Sequence, residues 1–264
     1  MINVGIAQID IALGNRMQNQ QRVSAWMTEY CKDIPSAMPT AIVLPEIWDV
    51  GYALEQKDAL ADPEGNESAA FLGALARRYG VWFIGGSVLA ATAQGTVNRA
   101  QVIDPQGALV AAYDKVHLVP MMDEPLYLEG GKARCVFPFG GVAAGCVICY
   151  DLRFCEFLRR YALDGAKVLF LSAEWPKARV EHWVTLLRAR AIENMMYVVA
   201  CNRVGTSKDT LFGGNSMVID PWGVILYQGS LDAEEGAFVS FDPATVEGIR
   251  SNLQVFAMRR PELY

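Results

Sequence analysis

The stretch VICYDLRFCEFLRR, residues 147–160, lies where two structural periods meet. The residues leading into it, GVAAGCVICY (141–150), are small and apolar and read as a buried strand. In DLRFCEFLRRYAL (151–163), Phe154, Phe157, Leu158 and Tyr161 fall on one helical face, and Asp151 is placed to act as N-cap. Cys149 therefore sits at the carboxyl end of a strand, just before a helix. Open α/β sheets bind ligands at such ends. Converging N–H groups and the helix dipole there favour a thiolate. The plain alternative is a buried thiol acting as a small hydrophobe, and that reading holds for Cys31, Cys135, Cys146, Cys155 and Cys201.

Working outward, strand-like and helix-like segments alternate. INVGIAQID (2–10), AIVLP (41–45), VWFIGGSVL (81–89), KVLFLS (167–172) and YVVACNR (197–203) read as strands. Helical stripes carry Val23, Trp26, Met27, Tyr30 and Ile34, then Phe71, Leu72, Leu75 and Tyr79, and a further helix covers roughly 179–194. A strand pair forms around Gly140-Gly141. Two hairpins share one turn signal, Asp-Pro-Gln-Gly in 98–115 and Asp-Pro-Trp-Gly in 215–229, which suggests two similar halves. Mixed hairpin and βαβ connections imply two sheets with helices outside them. With no linker or low-complexity tract, the 264 residues read as one domain.

The whole chain sets bounds on its function. It is 52% apolar and 20% charged, which suits a globular protein. A net charge of −6 argues against a nucleic-acid partner. No apolar run is long enough to span a bilayer, and MINVGIAQIDIALGN lacks the basic and small-residue features of a signal peptide, so no membrane partner is expected. Six cysteines without a secretory signal read as free thiols in a reduced, cytoplasmic protein. Cys146 and Cys149 form a CxxC, but alternation along a strand puts them on opposite faces, so no metal site is expected.

A thiol nucleophile needs a base. His117 follows Lys115 by two in YDKVHL and offers a Cys–His dyad, while His182 reads as a surface or packing residue. Carboxylates offer another base: AIVLPEIWDVGY places Glu46 straight after a buried strand, and Lys115 ends the first hairpin. Together with Cys149 they supply a base, an ammonium and a thiol, the set that acyl transfer requires. Arg153 and Glu156, three apart, read as a structural pair. Tyr52 and Trp175 are candidate walls of a substrate pocket.

LPEIWDVGY, YDKVHLVP and CYDLRFCEFLR resemble, in order and spacing, the three signature segments of the nitrilase superfamily of carbon–nitrogen hydrolases. That resemblance implies a four-layer αββα sandwich, no cofactor, and a small-molecule amide substrate. It makes Glu46 the general base, Lys115 the oxyanion-stabilising cation and Cys149 the nucleophile, with the N–H of Tyr150 beside it. The family's second glutamate falls on Glu124 in MMDEPLYLEGG, where it orients the lysine; Glu129, just before Gly130-Gly131, is the competitor. SAEWPKARVEHWVTLLRARAIENMMYVVACNRVG (172–205) resembles the omega-amidase-like branch, which includes 2-oxoglutaramate amidases. The expected reaction is hydrolysis of the terminal amide of a small carboxylic or 2-oxo acid, with an N-carbamoyl amine or a nitrile as the alternative substrate. The resemblance also implies a homodimer in which the tail, about 250–264, packs on the partner. A binding protein that lost the chemistry would carry a broken triad, and a redox protein would use Cys146 and Cys149.

Overall fold

The computed structural model describes residues 1–32, 34 and 37–263. Its first half runs β1 (Ile2–Gln8), α1 (Arg16–Tyr30), β2 (Thr40–Val43), α2 (Lys57–Leu60), β3 (Asp62–Pro63), α3 (Asn66–Tyr79), β4 (Trp82–Thr92), β5 (Gly95–Ile103), β6 (Leu109–Asp114) and α4 (Glu124–Tyr127). The second half runs β7 (Val136–Phe139), β8 (Val142–Ile148), α5 (Cys155–Leu163), β9 (Val168–Ala173), α6 (Val180–Asn194) and β10 (Tyr197–Asn202). It continues through β11 (Thr206–Ser207), β12 (Thr210–Leu211), β13 (Met217–Ile219), β14 (Ile225–Gln228), β15 (Glu235–Phe241) and α7 (Thr245–Leu253). The expected helix from Asp151 starts four residues late, because residues Cys149–Arg153 first form a 3₁₀ turn.

The strands make two mixed sheets with the same plan. One runs β15-β1-β2-β4-β5-β6, with β3 beside β4, and the other runs β14-β13-β10-β9-β8-β7. In each, three neighbouring strands are parallel: β1, β2 and β4 in the first, β8, β9 and β10 in the second. Each triplet continues into an antiparallel hairpin, β5-β6 or β13-β14, and carries one antiparallel strand on its other side. Both hairpins turn on the expected Asp-Pro-x-Gly, closed by Gly107 N–H to Asp104 O at 2.8 Å and by Gly223 N–H to Asp220 O at 2.9 Å. Gly140 and Gly141, both at positive φ, make the two-residue turn between β7 and β8.

Period-two alternation explains the layering. Val4 and Ile6 of β1, Val43 of β2 and Ile84 of β4 join the core shared with Cys146, Phe170 and Val199 of the second sheet. The alternate residues Ala7, Ile42 and Phe83 turn outward to meet Val23, Trp26 and Met27 of α1 and Leu72 and Leu75 of α3. Helices α5 and α6 cover the second sheet through Leu158, Tyr161, Trp183 and Leu187. The result is an αββα sandwich. Among the described residues, no helix is long and apolar enough to cross a membrane.

Strand β4 is irregular where it faces the second sheet. The β4–β5 register shifts between Ile84 and Ser87, and Gly86 takes φ +68° there. Its N–H donates across the sandwich to Oγ of Ser172 at 2.6 Å. A Cβ on Gly86 would lie 2.7 Å from Cβ of Leu44. Gly86→Ala should therefore cost roughly 2 kcal/mol or more of stability from strain and overlap. A chemical-denaturation midpoint equal to wild type would refute that.

Candidate active site

Three strand ends converge at one edge of the sandwich. After β2 the chain makes a tight turn through Glu46, with Ile47 at φ 40° and Gly51 N–H closing onto Ile47 O at 2.7 Å. The bulged strand β4 holds this turn: Ser87 Oγ accepts from Ile47 N–H at 2.9 Å and Ser87 O from Trp48 N–H at 3.0 Å. Lys115 follows β6 directly, its N–H bonded to Asn98 O at 2.9 Å. Cys149 follows β8 at φ 45°, a left-handed conformation costly for a side chain with Cβ.

Asp151 secures that strained turn instead of capping a helix. Its carboxylate accepts from the N–H of Ile148 at 3.0 Å, Tyr113 Oη at 2.7 Å, the N–H of His117 at 3.1 Å and His117 Nδ1 at 2.7 Å. The nucleophile's turn is thereby tied to the segment that follows Lys115. His117 is thus committed to Asp151, and its ring stacks on Phe154 at 3.6 Å.

Around Lys115 lies a network closed to solvent. Its Nζ donates to Oε1 of Glu46 at 2.7 Å and to Oε1 of Glu124 at 2.7 Å, and stands 3.3 Å from Tyr52 Oη. Tyr52 Oη lies 2.8 Å from Glu46 Oε1 and 2.6 Å from Glu124 Oε1. Asn98 Nδ2 and the N–H of Glu174 complete Glu46, at 2.8 and 2.9 Å, and the N–H of Val119 completes Glu124 at 2.7 Å. Glu46, Lys115 and Glu124 are all fully buried.

Burial alone would strip the ammonium of its proton, but the Glu124 and Glu46 carboxylates reverse the effect and hold Lys115 above its usual range. Burial pushes the Glu124 carboxyl up against the pull of Lys115. Cys149 is pushed well up, first by burial and then by the Glu46 carboxylate, with Lys115 opposing. Burial and the Glu46 carboxylate thus oppose the thiolate that a strand end before a helix was expected to favour.

Cys149 opens on a cavity of ≈ 310 Å³ walled by Tyr150, Arg153, Trp175, Arg179, Met121 and Met122. Trp175 is fixed by its indole N–H to Arg179 O at 2.8 Å and its main-chain N–H to Asn202 Oδ1 at 2.7 Å. The Arg153 guanidinium lies 4.6 Å from the Trp175 ring centroid and has no carboxylate partner among the described residues.

Comparison with known proteins then decides the family. The model of the carbon–nitrogen hydrolase family matches residues 3–251. The chain is 38% identical to a 2-oxoglutaramate amidase of Bacillus subtilis over 262 residues, covering 99% of this chain and 98% of that one. It is 39% identical to omega-amidase YafV of Escherichia coli K12 over 186 residues, 70% of each chain. A Xanthomonas campestris CN-hydrolase superfamily protein, solved with an arsenic adduct in its active site, superposes with a TM-score of 0.89 at 28% identity, covering 98% and 97% of the two chains. Saccharomyces cerevisiae Nit3, of the nitrilase superfamily, gives 0.85 at 26% identity over 96% of this chain and 94% of that one. The chain belongs to the carbon–nitrogen hydrolases. Its relatives make it an enzyme acting on amides.

In this carbon–nitrogen hydrolase the structure brings Glu46, Lys115, Glu124 and Cys149 together and leaves Glu129 exposed. Trp175 lines the nucleophile's cavity. Tyr52 has its hydroxyl buried between two carboxylates and lines an adjoining cavity of ≈ 190 Å³. Cys146 has Cys135 for its thiol partner, not Cys149. Arg153 was missed as a cavity residue because a helical reading paired it with Glu156; the 3₁₀ turn swings it over Trp175 instead. Asn98 and Glu174 were missed because an amide inside a hairpin strand and an acid after a strand carry no periodic signal. Among the described residues no cluster of three or more His, Cys, Asp or Glu could hold a metal ion.

Asp49, on the Glu46 turn, shows what such burial costs. Burial pushes its carboxyl up from 3.8 to about 7, against Arg16 at 3.1 Å. Between those values the folded chain keeps a proton that the unfolded chain has released, so stability falls as pH rises through that window and levels off above it. Asp49→Asn should therefore show a smaller drop in Tm between pH 5 and pH 7 than wild type. Parallel calorimetric curves for the two proteins would rule this out.

Proposed function

We propose that this carbon–nitrogen hydrolase releases ammonia from the terminal amide of a small carboxylic or 2-oxo acid, of the 2-oxoglutaramate kind. The observation that carries the reading is the buried Glu46–Lys115–Glu124 network beside a thiol that shares its cavity with Arg153. The kinship with 2-oxoglutaramate amidase and omega-amidase supports it.

Glu46 takes the thiol proton as Cys149 attacks the amide carbon. Lys115 and the N–H of Tyr150 hold the tetrahedral oxyanion. Once Glu46 is protonated its hold on the ammonium weakens, which frees a Lys115 donor as the oxyanion forms. Glu46 then gives the proton to the leaving nitrogen; the C–N bond breaks, ammonia departs and a thioester remains. Water, deprotonated by the same glutamate, attacks the thioester and releases the acid, and the proton returns to the sulfur. Glu124 keeps Lys115 aimed throughout. A substrate carboxylate at the far end of the cavity meets the Arg153 guanidinium, whose planar fork suits it.

The test is ammonia release from 2-oxoglutaramate, 2-oxosuccinamate and an N-carbamoyl amino acid, with Cys149→Ala as control. The keto-acid amides should turn over in wild type and not in the variant. Turnover of the carbamoyl compound alone would move the chemistry to the alternative substrate. Arg153→Ala should raise KM for the keto-acid amide about tenfold or more while kcat changes far less, as expected for a group that binds ground and transition states alike. An unchanged KM would remove Arg153 from substrate recognition.

A further inference from the structure

All six cysteines are free thiols, yet two of them face each other. Strands β7 and β8 pair in antiparallel register, Phe139 opposite Val142 through to Val136 opposite Gly145, so the next position sets Cys135 opposite Cys146. The ladder continues there with one bond, from Cys146 N–H to Cys135 O at 3.4 Å. The Tyr161 hydroxyl takes the place of the reciprocal bond: it accepts from Cys135 N–H at 3.3 Å and donates to Cys146 O at 3.1 Å. Residues directly opposite in such a ladder have their side chains on one face and their Cα atoms about 5.5 Å apart. That separation lies inside the roughly 4.4–6.8 Å that a disulfide spans. Both side chains join the core between the sheets, and the two thiols are hydrogen-bonded to each other. Cys149, three positions beyond Cys146, lies in the turn after β8, where its thiol meets Glu46 instead.

We propose that Cys135 and Cys146 are a redox couple: a small hydroperoxide converts them into a reversible disulfide that staples β7 to β8 and leaves Cys149 a free thiol. Cys135 is the attacking sulfur. It leads into the edge strand of its sheet and is 8% exposed, whereas Cys146 is fully buried. Lys132, Ala133 and Arg134, just before Cys135, wall an open cavity of ≈ 470 Å³ that a peroxide can enter. The hydrogen bond from Cys146 holds the Cys135 thiol below its usual range against burial, and the same bond, together with burial, pushes Cys146 well up. Such a division suits an attacking sulfur beside a resolving one. The Cys135 sulfur bonds to one peroxide oxygen as the O–O bond breaks, and the other oxygen leaves as water with the Cys135 proton. The Cys146 sulfur then attacks the S–OH group. The S–S bond forms, the S–O bond breaks, and the hydroxyl leaves as water with the Cys146 proton. The two thiols give up one electron pair, and one hydrogen peroxide becomes two waters. Exposed Cys155 has no such partner, since its S–H donates to Glu156 at 3.2 Å.

The test treats the reduced protein with a small excess of hydrogen peroxide at neutral pH, then unfolds it in acid with N-ethylmaleimide and digests it with trypsin. No Lys or Arg separates residues 135 and 152, so Cys135, Cys146 and Cys149 share the peptide 135–153, and Cys155 falls in the next. Before peroxide the peptide should carry three labels. Afterwards it should carry one, on Cys149, with the mass deficit of two hydrogens that a disulfide leaves, and dithiothreitol should restore all three. In Cys149→Ala, which removes any oxidation of the nucleophile itself, the count should go from two to none. Cys135→Ser should keep Cys146 labelled at the same dose. Retention of both labels in Cys149→Ala at a dose that oxidises Cys155 would overturn the proposal. So would a disulfide that includes Cys149, or loss of the labels with a gain of oxygen instead of the loss of two hydrogens.

Discussion

The site depends on one ammonium held without water. Removing Lys115 from solvent is expensive, and its attraction to Glu46 and Glu124, at 2.7 Å each, offsets that cost only while both carboxylates stay in place. Two carboxylates around one cation leave a surplus of negative charge, and the protein spreads it. Tyr52, Asn98 and the N–H groups of Glu174 and Val119 each donate into the cluster. Loss of Lys115 strands two buried carboxylates, a defect on the order of 3–5 kcal/mol in comparable sites. The turns that carry these residues must therefore be rigid, and the bulge at Gly86 and the four bonds to Asp151 hold them so.

The repeated sheet plan makes such a cluster possible. Each half presents the carboxyl ends of three parallel strands, where side chains point out of the sheet toward any ligand. Packing the two sheets face to face brings both sets of ends to one edge. Glu46 comes from the first set, Cys149 and Glu174 from the second, and the hairpin strands supply Asn98 and Lys115. Neither half could bury the network alone, because Glu46 in one sheet is completed by a main-chain N–H from the other.

Much of this is legible in the residues. The Asp-Pro-x-Gly turns, the apolar strands and the amphipathic stripes of α1 and α3 follow from local pattern, and so does the alternation that layers them. Glu46, Lys115 and Cys149 stand out because a polar residue abruptly ends an apolar run. What local pattern could not supply is direction. Asp151 reads as an N-cap until the 3₁₀ turn delays the helix, and Arg153 reads as a helix-surface charge for the same reason. Glu174 and Asn98 are ordinary polar letters whose importance appears only when the second sheet lies against the first. Tyr52 was placed near the chemistry by its sequence neighbours, but its hydroxyl's position between two carboxylates is a tertiary fact.

The protonation state of Cys149 separates two ways of building a thiol nucleophile. A cysteine beside a bare cation or an uncovered helix N-terminus becomes a standing thiolate, reactive before substrate arrives. Here burial and the adjoining Glu46 carboxylate push the thiol up and oppose its ionisation, and the Lys115 ammonium is already shared by two carboxylates. On the proposed mechanism, proton transfer and attack are then linked: the proton leaves sulfur for Glu46, Glu46 loses its charge, and the Lys115 ammonium turns to the oxyanion forming beside it. The ammonium's interaction with charge is conserved through the step, moving from carboxylate to oxyanion. That exchange requires both groups to lie within reach of one Nζ in a site that water cannot screen, and the convergence of the two sheets' strand ends provides that arrangement.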